Sequence, residues 1–300
     1  MKKTRFQTSD WLMMIAVMIW GLNYSLVKVA LAEIPPLPYN GIRLLLTSAV
    51  LILWLRLSGE NLEVKKEHLG KIVLLSISGH TIYQCLFIFG IHHTTASNTA
   101  VLFGSAPILI SIFSSFFKHE KIKPVGWLGI VLAFTGVYLV ISGKSGGFSL
   151  HSATLKGDIL VLLAVLLWAH YTVSSRPLLK VYSPLKFTAL TMGLGSLLFF
   201  PFSVPSLMVL PYAQISFKAW ACLVYSGVGA LAVGLIIWFY SVQRVGNSQT
   251  AIYSNLSPLM AVVFAHLVLS ESIPASLLGG VAIILLGIFL TRRGREIIDG

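Results

Sequence analysis

Ten stretches of roughly twenty mostly apolar residues run through this chain of 300, at about 11–31, 38–57, 70–91, 96–117, 124–142, 157–177, 185–204, 217–242, 248–269 and 274–291. A helix needs about twenty such residues to cross the hydrocarbon core of a bilayer. Apolar residues make up 56% of the chain and charged residues 11%, against about 45–50% and about 25% in soluble domains. An ordinary water-soluble fold is thereby excluded. The breaks carry turn and charge signals: Pro35-Pro36, Glu60 to Lys71, Lys118 to Pro124, Gly143 to Gly147, Ser183-Pro184, Pro205 to Pro211, Gly246-Asn247 and Ser270 to Pro274. The expected architecture is all-α and integral to the membrane, with ten transmembrane helices. Met1-Lys2-Lys3-Thr4-Arg5 looks like the start of a signal peptide. The apolar stretch behind it is too long and has no small-residue cleavage site, so it is expected to stay as the first helix.

The net charge is +12. The basic residues lie between apolar stretches rather than in a patch interleaved with aromatics, which argues against nucleic acid and for a topology signal. With ten helices, 17 Lys and Arg fall in the termini and in alternate loops, and 3 (Lys144, Lys156, Lys218) in the other set. That bias puts both termini in the cytoplasm and makes a multi-pass inner-membrane protein the expectation.

The chain also repeats itself. Moved by 151 positions, 97–140 falls on 248–291 without gaps: Ser97 on Ser248, Thr99 on Thr250, Pro107 on Pro258, Glu120 on Glu271, Gly129 on Gly280 and Gly136 on Gly287. Upstream, Ala16-Val17-x-x-Trp20 returns as Ala164-Val165-x-x-Trp168, 148 positions on. Two halves follow, 1–147 with helices one to five and 148–300 with helices six to ten. Five is odd, so the second half enters from the opposite side, which makes an inverted repeat with a site between the halves near the midplane.

Trp20-Gly21, Arg43 early in helix two, and Pro-x12-Glu-x8-Gly-x6-Gly occurring twice resemble the ten-helix EamA-like family of the drug/metabolite transporter superfamily. The resemblance covers nearly the whole chain. It implies a central cavity built from helices one to four and six to nine, with helices five and ten peripheral. Members export amino acids, drugs, nucleosides and other metabolites, so the resemblance specifies the family and leaves the substrate open.

Polar and aromatic side chains share faces within the spans. Trp20, Asn23, Tyr24 and Lys28 lie on one face of helix one; helix six carries Trp168 and Tyr171, helix three His80, Tyr83 and Gln84, helix two Arg43, and helix nine Tyr253 with Asn255 beside it. Polar groups are costly against lipid, so these faces turn inward. They are expected to line a substrate cavity; the alternative is interhelical hydrogen bonding and interfacial aromatic belts. Lys28 and Arg43, cations inside spans, are candidates for a substrate carboxylate, with snorkelling the alternative for Lys28. Pro107 and Pro258 are expected mid-helix as hinges. The paired glycines are expected to pack helices closely, and Glu120 and Glu271 to sit at the starts of helices five and ten.

No zinc-protease, Gly-x-Ser-x-Gly or paired-carboxylate motif is present, and Cys85 and Cys222 have no metal spacing. No enzyme activity, metal or cofactor is expected. The expected partners are a small-molecule substrate and the lipid bilayer, and nothing in the residues specifies an oligomeric state. The favoured function is a secondary transporter that exports small amphipathic metabolites, amino acids or related zwitterions, by alternating access; the alternatives are a multidrug or other metabolite transporter of the same fold, then a membrane-embedded enzyme. The ten acids are placed in loops, tails or helix ends, so a coupled proton would ride on a histidine, His80 first, or on the substrate. Movement down the substrate's own gradient is favoured over proton exchange.

Overall fold

The computed structural model describes residues 8–116, 120–142, 154–254 and 256–297. The described chain is helical throughout, apart from one short antiparallel pairing of Glu120–Ile122 (β1) with Arg295–Ile297 (β2). Helix α1 runs Thr8–Leu31, α2 Pro36–Leu57, α3 Lys66–Ser76, α4 Tyr83–His93, α5 Ala96–Phe103, α6 Ala106–Phe116 and α7 Pro124–Ser142. The second half has α8 Leu155–Leu179, α9 Pro184–Met208, α10 Phe217–Val224, α11 Gly234–Ser254, α12 Ser257–Leu269 and α13 Ala275–Arg293. The chemistry at the starts is local. Pro36 and Pro184 occupy first-turn positions, where their missing N–H costs nothing. The Thr95, Ser183 and Ser216 hydroxyls accept the backbone N–H three residues on.

Two wide π-helical segments interrupt the spans. Ile77–Ile82 joins α3 to α4, and Tyr225–Val233 joins α10 to α11. Among the described residues seven spans are long and apolar enough to cross a membrane, and Pro124–Leu139, Ser257–Leu269 and Ala275–Thr291 are shorter apolar helices. The polarity is inside out. Leu197, Phe202 and Leu267 face outward, while Asn40, Arg43, His80, Gln84 and Asp158 are buried. Lipid tolerates the first arrangement and penalises polar groups placed against it.

Three sequence expectations need correction. The break between helices eight and nine was expected at Gly246-Asn247, but the helix runs on to Ser254, because an isolated glycine does not by itself end a helix. As a result Pro258 is not mid-helix. It sits in the first turn of α12, and Pro107 sits likewise one residue into α6, behind a break at Gly104-Ser105. Each proline follows a break, and the carbonyl its missing N–H leaves without an i−4 bond belongs to the last residue of the preceding helix, Phe103 or Ser254. Glu271 does not cap its own helix α13. It accepts from the Ala96 N–H (2.9 Å) and the Ser97 N–H and hydroxyl (3.2 and 2.6 Å), capping α5. The corresponding side chain of Glu120 lies outside the described residues.

Helix bounds recur at near-constant offset. The starts and ends of α7 and α13 are 151 apart, as are the starts of α6 and α12; the two π segments begin 148 apart. The packing recurs too: α2 lies on α9, α5 on α12 and α7 on α13, while α4 lies on α8 as α11 lies on α1. Ser48 and Ser196, equivalent under the 148-residue offset, share a hydrogen bond of 2.8 Å between α2 and α9.

Candidate functional site

The cavity forms where the polar faces of α1, α2, α4, α5, α8 and α11 meet. From α1 come Trp20, Asn23 and Tyr24, which share a face because 0, 3 and 4 fall within one helical turn. Arg43 comes from α2, His80 from the first π segment, Tyr83 and Gln84 from α4, and Trp168 from α8. The water-accessible space is about 80 Å³. That is room for several waters at the roughly 10–15 Å³ each requires on this measure.

The π segments shape the walls. A wide turn leaves backbone carbonyls without helical partners, and side chains from other helices take them. Trp20 Nε1 donates to the Ala230 carbonyl (2.9 Å), and the Thr47 hydroxyl to that of Gly227 (3.0 Å). In the first segment Gly79 matters because a Cβ there would lie 2.5 Å from the Tyr171 ring. Its absence lets Tyr171 lie against the backbone and bring its hydroxyl 2.9 Å from His80 Nε2. Thr191 completes the cluster, 3.2 Å from His80 Nε2 and 2.9 Å from the Tyr171 hydroxyl.

Arg43 is fully buried. Its guanidinium donates to Asn40 Oδ1 (2.6 Å), Gln84 Oε1 (2.7 Å) and the Ser226 hydroxyl (3.1 Å), while its Nε has no partner. The Tyr39 and Phe87 rings lie 5.2 and 5.7 Å from its central carbon. Every one of these neighbours is neutral, so the site keeps a full positive charge.

Of the twelve residues proposed from sequence, eight line the cavity, three do not, and one is not among the described residues. Tyr171 stands behind it and positions His80. Lys28 turns away, its ammonium 3.1 Å from the carbonyl of His92 at the end of α4, where a helix C-terminus attracts a cation. Tyr253 packs on the main apolar cluster, and Asn255 lies outside the described residues. Sequence reasoning missed Phe87, Phe103 and Trp238, which line the cavity. Position along the chain gave no signal for Trp238: like the exposed Trp11, Trp54 and Trp127 it lies toward an end of its span, yet it is buried and touches Trp20 and Trp168. It also passed over Asp158, which is fully buried in the first turn of α8 and accepts from the Thr94 hydroxyl (2.5 Å) and Asn98 Nδ2 (3.3 Å). Asp158 lies outside the cavity lining.

This layering makes a labelling prediction. Single cysteines at Asn23 and Tyr83 are expected to react with a hydrophilic thiol reagent, and a cysteine at Tyr171 to stay inert. Equal reactivity at all three would remove the distinction between lining and backing.

A family profile described as the EamA-like transporter family matches residues 7–142 and 155–293. An uncharacterized transporter of Bacillus subtilis (strain 168), YoaV, is 28% identical over 275 residues, covering 91% of this chain and 92% of that protein. An uncharacterized transporter of Archaeoglobus fulgidus is 27% identical over 281 residues, covering 93% and 96%. A solved crystal structure superposes with a TM-score of 0.70 at 18% identity, over 95% of this chain and 98% of that one; that likeness concerns the fold.

Proposed function

The chain belongs to the EamA-like transporter family, and on that premise we propose that it is a secondary transporter that exports small amphipathic metabolites, amino acids and related zwitterions among them, by alternating access. It is a multi-pass membrane protein, with a lipid bilayer around it and a small molecule as its substrate. The single observation that carries the proposal is the cavity itself: a buried cation, hydrogen-bonding groups and a mid-membrane aromatic wall meet where no catalytic set does. Saturable movement of unchanged solute into proteoliposomes is the test, and chemical alteration of the solute would favour an enzyme instead.

Ten crossings in two inverted halves, 1–147 and 148–300, complete the reading. The recurring helix bounds, the two-fold packing pattern and the Ser48–Ser196 bond support it. Three helices fall short of a full span by themselves. In this reading α5 and α6 cross together, α12 returns across the bilayer after α11, and α7 and α13 cross as a pair at the periphery. Reporter fusions after residues 60, 120, 180 and 244 are expected to read cytoplasmic, and those near 35, 148 and 210 external. Two reversals would sink the inverted arrangement. Since no acid among the described residues lines the cavity, the substrate's own gradient drives transport in this proposal, with His80 the remaining site for a coupled proton.

A further inference from the structure

The two ends of the cavity differ in chemistry, and the difference narrows the substrate class; this inference rests on the transport reading. Arg43 occupies one end. Among the described residues it forms no ion pair, and no carboxylate lines the cavity. A buried cation without a counter-ion is costly. A ligand anion reaching its free Nε–H would add a charge-assisted hydrogen bond and neutralise it.

A run of rings leads away from that cation. Phe87 stacks on Tyr83 at 6.2 Å and Tyr83 meets Trp168 at 5.8 Å. Trp20 and Trp238 lie 6.3 and 5.5 Å from Trp168 and 5.7 Å from each other. The indoles meet one another tilted or edge to face, at 48° to 83°. Together they make an aromatic wall of the cavity. A flat ring can pack on such a wall. A second cation would also meet the uncompensated charge of Arg43 in a medium that screens poorly.

We propose that the cavity selects organic anions bearing a planar ring, with the carboxylate on Arg43 and the ring on the wall of Trp20, Trp168 and Trp238, and that an ammonium group contributes nothing to recognition. An amino acid with an aromatic side chain then binds through its carboxylate and ring alone.

The test is equilibrium binding to the purified full chain in detergent, read by quenching of tryptophan fluorescence. Four probes separate the groups: hydrocinnamate has ring and carboxylate, phenylalanine adds the ammonium, phenethylamine lacks the carboxylate, and propanoate lacks the ring. Hydrocinnamate is expected to bind as tightly as phenylalanine, and at least about tenfold tighter than phenethylamine or propanoate, the loss expected for one charge-assisted hydrogen bond. In Arg43→Gln the advantage over phenethylamine is expected to vanish, and Arg43→Lys to restore part of it. Phenethylamine binding as tightly as hydrocinnamate, phenylalanine binding more than about tenfold tighter, or no saturable hydrocinnamate binding would each overturn the proposal. Proteoliposome flux separates this failure from that of the reading beneath it. Saturable phenylalanine flux that hydrocinnamate does not inhibit sinks the anion proposal alone. No saturable flux across a panel of amphipathic solutes sinks the transport reading.

Discussion

Arg43→Met is expected to abolish transport while leaving the protein folded. The guanidinium is fully buried and its neighbours Asn40, Gln84 and Ser226 are neutral. Removing a charged group that binds substrate costs roughly 2–5 kcal/mol, which at about 1.4 kcal/mol per decade is a loss of roughly thirtyfold or more. Stability should move the other way or hardly at all. Burying a charge without a counter-ion is expensive, and replacing it by an apolar side chain of similar volume is often neutral or stabilising. Asn40, Gln84 and Ser226 would lose a donor, but the cavity beside Gln84 admits water to replace it. Arg43→Lys keeps the charge but not the planar fork, and an intermediate loss of about tenfold is expected. Flux measurements alongside thermal unfolding decide the matter. A variant that transports normally, or one that fails to fold, would make Arg43 a structural residue.

Gly287→Leu is expected to destabilise the α7–α13 pair strongly. A Cβ at Gly287 would lie 2.5 Å from the Gly129 carbonyl and 2.7 Å from the Ala133 Cβ, and one at Gly129 would in turn meet the Gly287 carbonyl. Gly136 and Gly280 repeat the contact one step along. Without Cβ atoms the two backbones approach closely, which is how helices associate where no hydrophobic effect drives them together. Overpacking a fitted site costs about 1–3 kcal/mol, and a whole isobutyl group against backbone should reach at least the upper end. Gly279 supplies the control from the same helix, since a Cβ there meets nothing within 4 Å. Gly279→Leu should change stability by about 0.5 kcal/mol or less. Thermal unfolding of both variants at one scan rate checks this, and equal midpoints would show that the glycine contacts do not hold α7 to α13.

Much of this protein is legible in one dimension. Bilayer thickness dictates the length of an apolar helix, so the seven spans long enough to cross follow from hydropathy, and the glycines of α7 and α13 were readable as contact points from their seven-residue spacing. Facing is legible for the same reason. Trp20, Asn23 and Tyr24 share a helical turn, and polar groups must avoid lipid, so their inward orientation follows without knowledge of the partner helices.

What required the tertiary structure is depth, pairing and local irregularity. The residues from Lys28 to His92 are far apart in sequence, and only the packing of α1 beside α4 gives that ammonium a carbonyl instead of a place in the cavity. Tyr171 lies on the same helix as Trp168, yet the close approach allowed by Gly79 sends it behind the wall. The two π segments left no mark that hydropathy could register, because their composition is that of any apolar helix. In the second of them the Ala230 and Gly227 carbonyls accept from Trp20 and Thr47 on other helices, partners that only the folded chain supplies. Periodicity along a chain therefore determined which face of each helix turns inward. How far in each side chain ends up depends on neighbours contributed by other helices, and only the folded chain brings those together.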